Sequence, residues 1–210
     1  MDNLNESLPP PGRGAQGVDL LLGAFSPRAL SEIVGPWSSG SSSLLVALIS
    51  RVTLSGDRVA VVDATDAFDP TSAVAAGADL SRLLWVKCGG RVEAAWRAAD
   101  LLVRCPGFGL VAVDLGDRHD QSRGASSFCR RLQRAVEQSD ATLVLRASRP
   151  LAGTAAALVV SMRRLAVRWI GAPRPTRFVG LVSEAQILRA RTRSRSAPRE
   201  GQCVEIPWGL

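Results

Sequence analysis

Five short apolar runs are spaced along the chain with helical segments between them. This rhythm restricts the fold more than any other feature. Arg58 to Asp63, Leu83 to Val86, Leu110 to Asp114 and Ala141 to Leu145 have strand length and are apolar nearly throughout, and the half-polar Ser31-Glu32-Ile33-Val34 before them reads as a strand ending in a glycine turn. Such runs are buried on both faces, as parallel strands are. Between them, apolar residues fall at helical intervals: Ser42 to Thr53, then Val92, Ala95, Trp96, Ala99 and Val103, then the amphipathic stretch Ser126 to Gln138 with Arg130, Arg131 and Arg134. Strands alternating with helices imply an α/β fold, a mainly parallel sheet flanked by helices.

After Thr154 the rhythm changes. A small-residue helix is expected over Ala155 to Met162, followed by Arg163 to Ile170, which alternates like a half-exposed strand. Gln186 to Arg193 alternates too, and Gln202 to Ile206 is short and extended. With Pro173, Pro175, Pro198 and Pro207 between them, these read as antiparallel strands at one edge of the sheet. At the other end, residues 1–16 contain Pro9-Pro10-Pro11-Gly12 and read as a flexible arm, leaving residues 17–210 as one core.

Inventory excludes several chemistries. His119 is the only histidine, so no site needing two can form, and it lies in a charged loop among Asp117, Arg118 and Asp120. Cys88, Cys105, Cys129 and Cys203 form no C-x-x-C and read as buried thiols of a reducing, cytoplasmic setting. No apolar stretch reaches the ~18 residues of a membrane helix, and the first residues do not form a signal peptide. The net charge of +7 is lopsided: residues 1–150 carry 16 basic and 16 acidic residues, whereas residues 151–210 carry 10 arginines against 3 glutamates. Such asymmetry suits an anionic partner at that end, or a solvated, arginine-rich tail.

The first apolar run leads into Gly35-Pro36-Trp37-Ser38-Ser39-Gly40-Ser41-Ser42-Ser43 and then a helix. That is the strand–G-x-x-x-x-G–helix context of a phosphate loop. Asp114 ends a later strand, where such folds keep the carboxylate that helps hold magnesium. Yet the lysine that should follow the second glycine is Ser41, and Lys87 is the only lysine in the chain. Charge-assisted bonds contribute ~1.5–3 kcal/mol each, so nucleotide affinity should fall roughly ten- to a hundredfold or more. The pattern reads as a vestigial phosphate loop in which Gly35, Gly40, Ser41, Ser42 and Asp114 retain the frame without its charge, or as a glycine–serine turn that never bound phosphate.

Glu32 to Pro36 with Ser38-Ser39-Gly40 resembles the EIYGPESSGKTT segment of RecA recombinases. Val61 to Pro70 resembles their FIDAEHALDP stretch, Gly77 to Leu84 their GVDIDNLL, and Gly17 to Gly23 the entry to their core. Gly153 to Gly171 is similar to their GNALKFYASVRLDIRRIG helix–strand unit. The matches run in order over about residues 17–171, implying a RecA-like core. The resemblance places Ser41 at the phosphate-loop lysine and Thr65 at the catalytic glutamate. It also leaves no asparagine–glutamine sensor near Ser148 and Arg149. Leu145 to Gly153 is too short for the long second DNA-binding loop, and the stretch after Asp114 is shortened. On this resemblance, no linker helix is expected before Gly17 and no large C-terminal domain after the core. These losses imply a pseudo-ATPase with no catalytic residue, cofactor or metal.

A short core of this kind with a basic tail resembles the ImuA family. That implies a non-catalytic adaptor of SOS-induced translesion synthesis, partnered by an ImuB-type pseudo-polymerase, with RecA and DNA as further partners. SulA-type inhibitors of the tubulin-like division GTPase share the stripped core and remain an alternative. A third is an atypical NTPase using arginine at the phosphates. Arg189, Arg191, Arg193 and Arg195 alternate, so a strand would place them on one face, suited to a DNA backbone or to edge protection. Trp37 and Trp208 are candidate partner anchors. Asp63, Asp66 and Asp69 form a carboxylate cluster that the resemblance assigns to a structural turn.

Overall fold

A computed structural model describes residues 18–116, 124–171, 176–191, 199–201 and 203–209. The expected arm, His119, Arg193 and Arg195 lie outside the described residues. The strands are β1 (Leu30–Val34), β2 (Arg58–Asp63), β3 (Leu83–Lys87), β4 (Phe108–Gly116), β5 (Thr142–Ala147), β6 (Leu158–Ile170), β7 (Arg177–Ala190) and β8 (Cys203–Gly209). They form one eight-stranded sheet in the order β3-β2-β4-β5-β1-β6-β7-β8. Strands β3 to β6 in that order are parallel; β7 and β8 add antiparallel at the far edge.

The helices are α1 (residues 18–22), α2 (Ser41–Leu54), α3 (Pro70–Ala75), α4 (Val92–Arg104) and α5 (Ala125–Glu137). Each face of the sheet has its own core. Helices α4 and α5 cover one: Val92, Ala95, Trp96, Ala99 and Val103 are all buried there, as their spacing requires. Trp96 stacks on Phe128 at 5.7 Å, and Arg131 forks onto Asp100 at 2.6 and 3.0 Å, tying the two helices together. Helices α1 to α3 cover the other face, with Leu44, Leu45, Leu48 and Ile49 of α2 buried against the strands.

The carboxylates after β2 are structural, as the resemblance implied. Asp63 accepts from the Thr65, Ala67 and Phe68 N–H groups, Asp66 accepts from Gly89 N–H, and Asp69 caps α3 through Thr71 and Ser72. Three expectations are corrected. There is no helix over Ala155 to Met162: a 3-10 turn at Gly153–Ala155 gives way to β6 at Leu158. The apolar run Leu158-Val159-Val160 is buried and pairs with β1 and β7, and β-branched residues suit that setting. Beyond Met162, β6 does not alternate; from Arg163 to Ile170 every residue is exposed or half-exposed, because neither face is covered. Finally, only Cys88 and Cys129 are buried, while Cys105 and Cys203 are exposed. Burial pushes the Cys129 thiol up to about 12.

Glu32 is a buried carboxyl in the middle of β1. Its Oε1 accepts from the Leu151 and Ala152 N–H groups at 2.8 and 2.9 Å, while Oε2 has no partner among the described residues. Burial raises its pKa, and the two N–H groups and the charge of Arg189 only partly offset this. The fold thus favours the neutral form. That contribution is complete below the ordinary value of 4.5 and is lost as pH rises through the higher folded value. Glu32→Gln should remove this dependence. Urea denaturation across acidic to neutral pH should show the variant gaining on the parent as pH rises; parallel curves would contradict it.

Candidate functional site

The expected strand–loop–helix is present, with residues 35–40 joining β1 to α2. Gly40 occupies the position before α2 with φ +87°, a left-handed conformation that glycine adopts without strain. Both glycines are also packed too tightly for a side chain. A Cβ at Gly35 would strike Ser39 Oγ and come within 2.8 Å of the Met162 carbonyl oxygen on β6. A Cβ at Gly40 would strike Ser183 Oγ on β7 and lie 2.6 Å from the Trp208 indole nitrogen on β8. The antiparallel edge is therefore folded against the loop. Trp208 Nε1 donates to Ser183 Oγ at 3.2 Å, which fixes the indole there.

Beside the loop is a cleft of about 440 Å³, lined by Trp37, Ser41, Thr65, Gly116, Arg146 and Leu181 among others. Gly35 and Gly40 bound the loop and Ser41 and Ser42 open α2; Ser42 and Asp114 line one cavity, with Asp114 near the end of β4, which β5 separates from β1. Ser41 is buried, Ser42 exposed, and Trp37 stands at the rim with 81% of its surface exposed. Thr65 lines the same cleft with its hydroxyl unpartnered among the described residues.

The electrostatics turn on Arg146, a residue that motif reasoning passed over. It sits on β5 directly across from Asp114 on β4, and its Nε donates to Asp114 Oδ1 at 2.7 Å. The same oxygen accepts from Gly116 N–H at 2.9 Å. Both side chains are almost wholly buried, 12% and 9% exposed. The residues present do not fit a magnesium-bound nucleotide. A guanidinium already neutralises the carboxylate that would face the metal, and Ser41 offers no ammonium to the phosphates. A signal was there to be read: one arginine near the end of an otherwise apolar buried strand, Leu143-Val144-Leu145-Arg146-Ala147.

The other candidates fall elsewhere. Arg189 and Arg191 lie toward the amino end of β1, away from the cleft, since Arg189 pairs with Val159 and Arg191 N–H donates to Ala157. Arg189 and Arg191 donate to the carbonyls of Gly153 and Thr154. The charge of Arg189 also acts on the buried Glu32 carboxyl, partly offsetting the effect of its burial. Strand β7 ends at Ala190, so the four arginines do not form one described strand face. Trp208 is half-buried against the α2-side core and is not an exposed anchor. Arg131 is engaged by Asp100, Arg130 by Ser127.

The RecA N-terminal domain model matches residues 7–145, about two thirds of the chain. The chain belongs to the RecA N-terminal domain family. It is 34% identical to protein RecA of Arthrospira platensis over 148 residues, 62% of this chain and 40% of that protein. It is 35% identical to protein RecA of Trichodesmium erythraeum over 148 residues, 62% and 41%. It is 32% identical to that of Leifsonia xyli subsp. xyli over 151 residues, 64% and 42%. Its matched region thus spans about two fifths of these RecA proteins. A crystal structure of the RadB recombinase matches 90% of this chain and 92% of its own with a TM-score of 0.65 at 21% identity, which shows the shared fold. Within this RecA-like frame, β5 ends at Ala147 and the next turn begins at Gly153, so only residues 148–152 connect them.

The buried pair can be tested directly. Arg146→Met leaves the Asp114 carboxylate buried and unpaired and should cost ~3–5 kcal/mol in urea denaturation. The double variant Asp114→Asn/Arg146→Met removes both charges and should recover most of that loss. A single variant within ~0.5 kcal/mol of the parent would show that the carboxylate does not depend on the arginine.

Proposed function

We propose that this RecA-like chain is a non-catalytic adaptor of SOS-induced translesion synthesis, an ImuA-type protein acting without ATP. Its main partner is an ImuB-type Y-family pseudo-polymerase, with RecA and DNA as further partners. The observation that carries the non-catalytic half is the Arg146–Asp114 pair, a guanidinium held on the carboxylate that a working site reserves for magnesium. Ser41 in place of the lysine and Thr65 in place of the glutamate support the same half. The adaptor half rests on the resemblance to the ImuA family. Trp37 is the surface feature that suits it, a large ring presented at the loop where a nucleotide-binding relative keeps polar residues.

The test combines calorimetry and pull-down. Titration with ATP and magnesium should give no binding at ~micromolar level. An ImuB-type protein should be captured without nucleotide, and Trp37→Ala should weaken that capture about tenfold or more, as loss of a hot-spot tryptophan does. Trp37 is exposed, so this variant should keep its fold, checked by circular dichroism. Micromolar ATP binding would revive the NTPase reading. Inhibition of the tubulin-like division GTPase, with no binding to the pseudo-polymerase, would favour the SulA-type reading.

A further inference from the structure

Helices α4 and α5 lie side by side on the sheet face opposite α2, and their outer surface holds a socket of about 260 Å³. Its floor is buried: Trp96 and Leu132 are each 1% exposed. Phe128 of α5, stacked on Trp96, is half-buried, and Leu101 at the edge is 70% exposed. Helical spacing explains the arrangement. Trp96 and Ala99 belong to the inner stripe of α4, whereas Arg97, Asp100, Leu101 and Arg104 fall at i, i+3, i+4 and i+7 on an adjoining one. A scattered surface leucine needs no explanation, but this one stands at the mouth of a socket floored by stacked rings.

Charge holds the walls in place. Asp100 Oδ1 accepts from Arg131 Nε at 3.0 Å and from Arg104 at 3.2 Å, and its Oδ2 accepts from Arg131 at 2.6 Å. The fork crosses between the helices, so the socket is pre-formed. All five arginines of the two helices, Arg97, Arg104, Arg130, Arg131 and Arg134, are exposed. Three carboxylates stand against them. Asp100 is taken up by the fork, Glu137 accepts from Gln133 at the far end of α5, and Glu93 lies in the first turn of α4. Arg97 and Arg134 have no ion-pair partner among the described residues.

Size and charge together select the occupant. Small-molecule sites span ~300–1,000 Å³, and this socket is smaller, suited to one large side chain. A phosphate backbone has no group to fill an apolar socket, so the arginines around it suit carboxylates beside an apolar anchor. Interfaces concentrate their energy in such seated anchors, while charges at the rim steer approach.

We infer that the α4–α5 socket, with Leu101 and Phe128 at its mouth and Arg97 and Arg134 beside it, docks an acidic segment of a partner protein through one aromatic or branched aliphatic side chain. The inference stands apart from the proposed function, since it uses neither Trp37 nor the loop cleft.

Phage-displayed random peptides selected on the full chain test this, with labelled synthetic copies of the enriched sequences measured by fluorescence anisotropy. Enriched sequences should share one such side chain with neighbouring carboxylates. Changing that anchor to alanine in the peptide should weaken binding about tenfold or more, and it tests the socket without touching the fold. Leu101→Glu puts a like charge at the mouth and should cost about as much. Arg97→Glu/Arg134→Glu should weaken binding and remove most of its salt dependence. These positions are exposed, so circular dichroism should match the parent's. No enriched peptide, enrichment without carboxylates, or equal binding to the parent and both variants would overturn the assignment. Sedimentation in which Leu101→Glu turns a parent dimer into a monomer would give the face to a second copy instead. Loss of oligonucleotide binding in the arginine variant, with no peptide enriched, would give it to nucleic acid.

Discussion

Asp114 and Arg146 stand opposite each other on adjacent parallel strands, and the chemistry of the whole site follows from that register. Parallel strands in a covered sheet end together, so their last side chains meet where ligands of such sheets normally bind. A carboxylate alone at that place is a metal ligand in waiting. With an arginine across from it, the same carboxylate becomes half of a buried ion pair, and separating the two leaves an unpaired charge in a low-dielectric interior. The loop beside it is packed on one side by the antiparallel edge and still borders the cleft on the other. Met162, Ser183 and Trp208 approach the two glycines so closely that neither could carry a side chain.

The antiparallel edge has two roles in consequence. Its inner part covers the α2-side core: Ala185, Ile187, Val204 and Ile206 are buried there. Its outer part leaves the core behind and presents Trp169 and Phe178 on a ribbon with no helix over it. Arginine does different work in each place. Arg189 donates to a backbone carbonyl, Arg163 answers Glu184, and Arg164, Arg168 and Arg177 remain outward.

Where the sequence carried periodicity, the fold was legible. Strand β2 begins and ends where its apolar run does, and the five residues spaced along α4 are all buried. The small-residue stretch at Ala155 misled because alanine favours a helix, yet pairing with β1 and β7 outweighs propensity at Leu158 to Val160. The exposed length of β6 was illegible for another reason: alternation says which residues share a face, and not whether anything covers it. For the site, spacing located Gly35, Gly40 and Ser41 between β1 and α2 and Asp114 near the end of β4. Arg146 escaped because its meaning lies in cross-strand register. The arginines from 189 onward were grouped by alternation alone, and the structure gives the first two to loop carbonyls.

The contacts at Gly40 carry a consequence for how the molecule assembles. The loop belongs to the first strand, but its cover comes from Ser183 and Trp208, more than 140 residues later. Contacts so distant along a chain form slowly, because long loops must close before they are rewarded. Strand β1 is itself paired only with β5 and β6, more than 110 residues later, so the loop's strand flank and its cover are both drawn from distant parts of the chain. The packed loop is thus a product of long-range pairing, and a local segment cut from around it would not reproduce its surroundings.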